Sequence, residues 1–289
     1  YLAFDPRSGP GGDFFLFQVW PGGPATQQQL RVRKRLKDDS LPRVVEWQRR
    51  GSDVDIVLTW IEGTPLAEYL ENIREGRRPP VSPRDAVRLI HGLANAVCKL
   101  HQRQQIAHGD IQPPNVIITD HPSRLVLIDF GSAWTIESTA WREEGDGVHR
   151  CYAAPELQNK GATPVGFFAD QFSVSVLFYE FLTQQLPYGG LGGKAGLPVH
   201  ISRAKDALAA PSQVSPACRA LPSSLREGMD RAVLRGLALD PADRYVDRHQ
   251  WLNDLFAVHA RFRLAPELPH VENVLTRVVH WLVKPRGKP

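Results

Sequence analysis

The chain has 289 residues, of which 42% are hydrophobic and 23% are charged, as in an ordinary globular protein with a sizeable core. This composition excludes a disordered, fibrous or disulfide-stapled chain. No stretch approaches the roughly 18 uninterrupted apolar residues of a membrane-spanning helix, so no membrane span is predicted. The formal net charge is +4. The basic stretches 31–37 and 284–288 lack interleaved aromatic residues, which argues against sequence-specific nucleic-acid binding.

The cysteines indicate a reducing compartment. Cys98, Cys151 and Cys218 are widely spaced and form no Cys-x-x-Cys motif. Isolated cysteines in odd number favour reduced thiols over disulfides or metal ligands. Because the sequence also starts without a basic region followed by an apolar run, no secretory signal is predicted and we expect a cytoplasmic domain.

The first sixty residues predict a small β-sheet that carries one helix. Strands are predicted over residues 14–20, 43–47 and 54–58, because each run is rich in branched or aromatic residues and is bounded by turn formers. Residues 25–37 place scattered apolar residues among polar ones and predict a short helix.

From residue 64 onward the apolar spacing becomes helical. Leu66, Leu70 and Ile73 repeat at helical intervals, and Pro65 suits a first helical turn. Ser82 is the predicted N-cap of a long helix with Pro83 just inside it. Further helices are predicted over 167–182, 225–239 and 271–283.

These elements predict an α+β protein with two unequal lobes. We expect a small, antiparallel β-rich lobe over residues 1–63 and a larger, mainly helical lobe over residues 64–265. Residues 266–289 are expected to form an amphipathic helix and a basic tail.

Three polar side chains carry the strongest chemical signal. Asp110 follows His108 and Gly109, Asn115 comes five residues later, and Asp129 ends the apolar run 125–128. Carboxylate and amide oxygens are ligands that Mg²⁺ accepts together with substrate phosphate. A carboxylate such as Asp110 can also accept a proton from an attacking hydroxyl. The pattern therefore predicts a magnesium-phosphate site.

The two segments resemble motifs of the protein kinases, specifically the bacterial serine/threonine kinases of eukaryotic type. Residues 108–115 resemble the catalytic loop, and residues 129–131 match the Asp-Phe-Gly element. Residues 152–156 resemble the end of the activation segment. The resemblance implies that Glu156 pairs with Arg244.

The resemblance also implies a two-lobed protein-kinase-like fold, with ATP and Mg²⁺ as cofactors and a protein substrate or signalling partner. It implies that Asp110 is the catalytic base beside Gln112, that Asn115 and Asp129 hold the metal, and that Asp170 braces the catalytic loop. The implied nucleotide-binding residues, with Leu58 as gatekeeper and Ile117 beneath the base, are Gln18, Leu58, Thr59, Ile61 and Ile117.

Several positions depart from the family pattern. Gln18 falls at the third-strand lysine, and Gln112 replaces a catalytic-loop lysine. Residues 14–37 contain no Asp or Glu to pair with such a lysine, and no Gly-x-Gly-x-x-Gly motif precedes the hinge. Residue 1 aligns with the second strand of the family. An alternative register makes Lys34 the strand lysine and Glu46 its partner.

These departures leave three functions open. The first is a weak serine/threonine protein kinase, and the second is a pseudokinase that serves as a nucleotide-binding or scaffold module. The third is an aminoglycoside- or choline-type phosphotransferase, because Gly109 also resembles the His-Gly-Asp motif of those enzymes. Those enzymes lack the Glu156 and Arg244 pair, so the sequence favours a protein kinase over them.

Overall fold

An antiparallel sheet forms the N-terminal part of the protein. The computed structural model describes residues 2–4, 14–22, 26, 30, 42–121, 123–130, 132–135, 150–158, 166–204 and 206–264. The sheet contains four strands: β1 (Leu2–Phe4), β2 (Phe14–Pro21), β3 (Val44–Arg50) and β4 (Asp53–Thr59). Its order is β1-β2-β4-β3, and all neighbours are antiparallel. The three predicted strands are therefore confirmed.

The sheet buries one face of its central strand β4. Val54, Ile56 and Leu58 alternate along this strand and are buried together, as expected for a strand whose side chains alternate between two faces. Leu30 packs against them. Leu30 and Thr26 are helical, and the other residues of the helix predicted over 25–37 lie outside the described part of the chain.

The rest of the described chain is mainly helical. Its long helices are α1 (Leu66–Arg74), α2 (Pro83–Lys99), α4 (Phe167–Thr183), α8 (Ser223–Gly236) and α9 (Arg248–Leu264). The short helices are α3 (Pro155–Gln158), α5 (Ile201–Ala204), α6 (Pro211–Val214) and α7 (Pro216–Arg219). Residues 169–183 of α4 are all buried, so this helix forms the centre of the large hydrophobic core.

Five short strands support the loops between these helices. They are β5 (Thr64–Pro65), β6 (Ile106–Ala107), β7 (Val116–Asp120), β8 (Ser123–Leu127) and β9 (Trp134–Thr135). Strands β5, β7 and β8 form one antiparallel sheet, and β6 pairs with β9. The β7–β8 hairpin leaves the segments before β7 and after β8 side by side.

The helix boundaries largely follow the sequence. Ser82 caps α2 by accepting a hydrogen bond from the Asp85 amide at 3.1 Å, and Pro83 is its first residue. Pro65 was expected in the first turn of α1, which is wrong. It belongs to β5, where it pairs with Ile117 of β7, and the helix starts one residue later. The helix predicted over 271–283 lies outside the described residues.

Two further expectations concern the cysteines and the membrane. Cys98, Cys151 and Cys218 are free thiols, and the first and third are buried. Within the described residues, no helix has both the length and the apolar character that crossing a bilayer requires.

Candidate active site

A buried carboxylate on α4 holds the loop between β6 and β7. Asp170 accepts hydrogen bonds from the backbone amides of His108 and Gly109, both at 2.8 Å, and contacts the ring of His101 at 2.8 Å. Gly109 has φ 75°, a conformation that glycine adopts without steric cost. The expected bracing of residues 108–115 by Asp170 is present in the structure.

The ring of His108 ties the same loop to the end of β8. Its Nδ1 accepts from the Asp110 amide at 3.4 Å, so Nε2 carries the proton donated to the Ile128 carbonyl at 3.1 Å. Burial lowers the pKa of His108, and the nearby carboxylates of Asp170 and Asp110 only partly oppose this. The imidazole is therefore neutral at pH 7 and acts as a fixed structural bridge.

Two amide side chains orient the carboxylate of Asp110. Gln112 Nε2 and Asn115 Nδ2 donate to its Oδ2 at 2.9 and 2.8 Å, and Asn115 Nδ2 also contacts the Asp110 carbonyl at 2.9 Å. Asp110 is half-buried, whereas Asn115 is buried. The two donors fill Oδ2, so Oδ1 is the oxygen available to an incoming hydroxyl.

Asp129 lies at the same end of the β7–β8 hairpin. The amide of the preceding Ile128 donates to the Asn115 carbonyl at 2.9 Å, which joins the two segments directly. Asp129 is exposed and has φ 54°, a strained conformation for a non-glycine residue of the kind that clusters at functional sites. The next residue, Phe130, is fully buried with its ring centroid 4.8 Å from that of His108.

These residues fit a magnesium ion better than a metal held wholly by protein. Asn115 uses its nitrogen for Asp110, so its amide oxygen is left for a cation, and Asp129 presents an exposed carboxylate. Across the described ranges, no three His, Cys, Asp or Glu side chains converge as a metal cluster. A site with one or two protein oxygens plus phosphate is the arrangement that Mg²⁺ prefers.

The residues predicted to receive adenine lie where β4 leads into β5. Leu58 and Ile117 are buried, whereas Thr59 and Ile61 are half-buried. Gly63 has φ 153°, and a Cβ there would lie 2.7 Å from Cγ2 of Ile117. The segment between β4 and β5 therefore runs so close to β7 that residue 63 has to be glycine.

Gln18 lies on β2 opposite Ile56, and its side-chain oxygen is buried with no hydrogen-bond partner among the described residues. A buried amide without a partner is costly, so the position suits a ligand or a polar neighbour. In the alternative register, Glu46 is exposed on β3 and Lys34 lies outside the described residues.

Sequence reasoning missed a polar network behind the activation-segment end. Glu180 on α4 is buried, and its two oxygens bind Arg74 Nη2 at 2.6 Å and Tyr152 Oη at 2.8 Å. Burial raises the pKa of Tyr152, and Glu180 raises it further. The one sequence signal for this network is that Glu180 is a charged residue in an otherwise apolar part of α4, where a buried carboxylate needs a partner.

Two further contacts hold the end of the activation segment. The Glu156–Arg244 pair was predicted from the sequence, and the contact with Gly193 was not. Arg244 binds Glu156 through two hydrogen bonds, at 2.7 and 2.9 Å. The Gly193 amide donates to the Cys151 carbonyl at 2.7 Å, and a Cβ on Gly193 would lie 1.9 Å from the Ala153 carbonyl oxygen.

The sequence pattern of the protein kinase domain matches residues 24–244. The chain belongs to the protein kinase domain family. The family assignment and the α+β fold expected from the sequence are thereby confirmed.

Curated relatives point to the bacterial branch of this family. The chain is 27% identical over 210 residues to serine/threonine-protein kinase PrkC of Bacillus subtilis, covering 71% of this chain and 29% of the relative. It is 28% identical over 232 residues to PknL of Mycobacterium tuberculosis, covering 80% and 53%. It is 25% identical over 221 residues to PknE of the same species, covering 76% and 36%. This kinase domain therefore spans between 29% and 53% of these relatives.

Proposed function

We propose that this kinase domain binds ATP with Mg²⁺ and transfers a phosphoryl group to a serine or threonine of a protein. The observation that carries the proposal is the Asp110 carboxylate, held by Asn115 and Gln112 at the end of the hairpin that also carries Asp129. The names of the relatives, all serine/threonine-protein kinases, support the same substrate class.

Each residue has a separate task in this proposal. Asp110 orients the substrate hydroxyl through Oδ1 and accepts its proton as the oxygen attacks phosphorus. Asn115 and Asp129 hold Mg²⁺, which when bound neutralises charge on the phosphate oxygens. Leu58, Thr59, Ile61 and Ile117 contact the adenine from the hinge and from β7.

Transfer is proposed to be slow, because neutral amides stand where the family has lysines. Gln112 donates to Asp110, and an amide adds no positive charge to the phosphate. Loss of a single electrostatic donor costs roughly 10²–10³-fold in rate in other enzymes. Gln18, at the position of the third-strand lysine, likewise supplies no positive charge to the phosphates.

This loss of charge supports a second candidate, a pseudokinase that binds nucleotide or a partner protein without turnover. Gln112 favours it, since this residue orients Asp110 through a hydrogen bond of 2.9 Å but supplies no positive charge to a phosphate. The Glu156–Arg244 pair argues against small-molecule phosphotransfer, because it is a feature of the protein kinases.

The proposal includes the organisation and location of the domain. We assign residues 1–63 to the N-lobe, 64–265 to the C-lobe and 266–289 to an amphipathic helix with a basic tail. The sheet ending at Thr59 and the helix starting at Leu66 support the first boundary. The free cysteines support a cytoplasmic location.

Radiolabelled ATP with Mg²⁺ and a library of Ser/Thr peptides tests transfer. We expect measurable incorporation that disappears in Asp110→Asn and Asp129→Asn. The matched control is Asp120→Asn, because Asp120 is exposed at the far end of β7. Incorporation that persists in the first two variants would contradict the kinase proposal.

Thermal unfolding with ATP separates the two candidates. A ligand at 100 times its dissociation constant stabilises the native state by about 2.7 kcal/mol. We expect a Mg²⁺-dependent rise in melting temperature that Asp129→Asn removes. A rise without incorporation identifies a pseudokinase, whereas no rise with any nucleotide rejects the nucleotide site.

A further inference from the structure

One face of the last described helix carries exposed apolar residues beside positive charge. Its side chains recur at helical intervals of three and four, so they share one surface. We call this surface the α9 strip, and its members are Phe256, His259, Ala260, Arg263 and Leu264. Phe256 is 55% exposed and Leu264 is 86% exposed. The opposite face packs in the core through Trp251, Leu255, Val258 and Phe262.

The α9 strip continues onto α2 through His91. The His91 ring stacks on His259 at 5.3 Å between centroids and tilts against Phe256 at 5.8 Å. Burial lowers the pKa of both histidines, and the charges of Arg263 and Arg88 lower that of His259 further. Arg263 and Arg88 therefore place positive charge beside the α9 strip.

Only part of this positive charge is balanced locally. Arg88 pairs with Asp85 at 3.2 Å, but Arg263 has no acidic partner among the described residues. The buried Nδ1 of His259 also has no hydrogen-bond partner among the residues that the structure describes. A segment that covers the α9 strip should therefore combine apolar side chains with carboxylates.

The chain that follows Leu264 has this combination. Pro266 and Pro269 are residues that disfavour the continuation of a helix, and Glu267 lies between them in the sequence. Residues 271–283 are predicted to form a helix that carries Glu272 near its start. Its apolar residues recur at helical spacing and are Val271, Val274, Leu275, Val278 and Leu282. The six residues 265–270 are enough to reverse direction between two helices.

We propose that residues 271–283 dock as an amphipathic helix on the α9 strip, antiparallel to α9. A helix of 13 residues is about 20 Å long and matches most of α9. In this orientation Glu272 lies near Arg263. The basic residues 284–288 then extend toward the start of α9, where Asp247 is exposed. A parallel orientation would separate both pairs of opposite charges.

Tethering favours this segment over other occupants. A segment joined through a six-residue connector has an effective concentration in the millimolar range. A second copy or a lipid surface has no such advantage. Arg263 attracts Glu267 and Glu272, whereas the basic residues 284–288 make anionic lipid the competing occupant that the test has to exclude.

Hydrogen exchange of the 289-residue chain tests the docking. We expect slow amide exchange in residues 271–283, lost in the double variant Phe256→Asp/Leu264→Asp. Val199→Asp is the matched control, since this exposed apolar residue lies away from α9 and should leave the protection unchanged. A thermal melt of each variant checks folding, and Leu264→Asp alone provides a milder test at the helix end.

Charge reversal tests the orientation. We expect Glu272→Arg and Arg263→Glu each to speed exchange in residues 271–283, and their combination to restore part of the protection. If the two effects simply add, the antiparallel arrangement is wrong.

Four results would overturn the docking itself. They are unprotected exchange in the unmodified chain, protection that survives Phe256→Asp/Leu264→Asp, protection that grows with protein concentration, and protection that appears only with anionic vesicles. The third result would identify a second copy as the occupant, and the fourth would identify a lipid surface.

Discussion

Glu156 and Arg244 are 88 residues apart in the chain, yet the two guanidinium nitrogens of Arg244 bind both carboxylate oxygens of Glu156. Arg244 is fully buried and also donates to the carbonyls of Phe168, Ala238 and Leu239. All five of its N–H groups therefore have acceptors. The pair ties the end of the activation segment to the segment that follows α8.

Replacing Glu156 by Gln should destabilise the protein strongly, because it leaves the buried guanidinium without its counter-charge. Breaking one side of a buried ion pair typically costs about 3–5 kcal/mol. Urea unfolding of the variant measures the loss.

The control for this variant is an exposed ion pair. Glu71 lies 3.2 Å from Arg74 on the surface of α1. We expect Glu71→Gln to cost no more than about 1 kcal/mol. Equal losses in the two variants would show that burial does not determine the strength of the Glu156–Arg244 pair.

Contacts that belong to local motifs could be predicted from the sequence. The capping of α2 by Ser82 depends on three neighbouring residues, so it can be read directly. The Glu156–Arg244 pair and the anchoring of the loop by Asp170 were accessible because the surrounding motifs resemble those of the protein kinases. Each of these side chains has a role that its motif fixes.

Contacts that depend only on tertiary packing could not be predicted. Glu180 and Arg74 are 106 residues apart, and neither belongs to a recognisable motif. No local residue pattern predicts the positive φ of Asp129. The sequence does not show that Gly193 approaches the activation segment, because this contact joins parts of the chain about 40 residues apart.

Gly193→Ala should displace the end of the activation segment. The added Cβ would lie 1.9 Å from the Ala153 carbonyl oxygen. Neither atom can move away by a side-chain rotation, so the backbone has to shift. Overpacking of this kind costs typically 1–3 kcal/mol, so about that loss is expected in urea unfolding. Hydrogen exchange at residues 151–155 should also become faster.

Gly92→Ala is the matched control. Gly92 is inside α2, and a Cβ there meets no atom within 4 Å. Alanine in a helix interior is favoured over glycine by roughly 0.5–1 kcal/mol, so this variant should be stabilised. A loss of stability in Gly92→Ala would contradict the local environment described for α2.

Stability should fall when the pH drops from 7 to 5, because His108 is buried in its neutral form. Its folded pKa lies below the usual value of about 6.5, so the unfolded chain takes up the proton first. The contribution of neutral His108 to the free energy of unfolding is complete above pH 6.5. It is lost as the pH falls below 6.5, by at most about 1.4 kcal/mol per pH unit for one group. His91 and His259, whose pKa values are also lowered, act in the same direction.

Urea unfolding at pH 7, 6 and 5 isolates the part due to His108. His108→Gln should show a shallower pH dependence than the unmodified chain, whereas His121→Gln, a change at an exposed turn, should not. Asp170 does not interfere in this range. Burial alone would raise its pKa, but the hydrogen bonds from His101 and from the Gly109 amide hold it below the usual range, so its contribution is lost only in stronger acid. Identical slopes in the two histidine variants would refute the role of His108.

Restoring a positive charge beside Asp110 should raise the rate of phosphoryl transfer. Gln112 is 2.9 Å from Asp110 Oδ2, so a lysine there can reach both this carboxylate and a bound phosphate. Loss of a single preorganised donor costs roughly 10²–10³-fold in rate in other enzymes, and we expect a gain of that order in Gln112→Lys. Gln102→Lys adds the same charge at an exposed residue and should leave the rate unchanged. Equal rates in the two variants and the unmodified chain, measured with radiolabelled ATP, would show that the missing charge at residue 112 does not limit transfer.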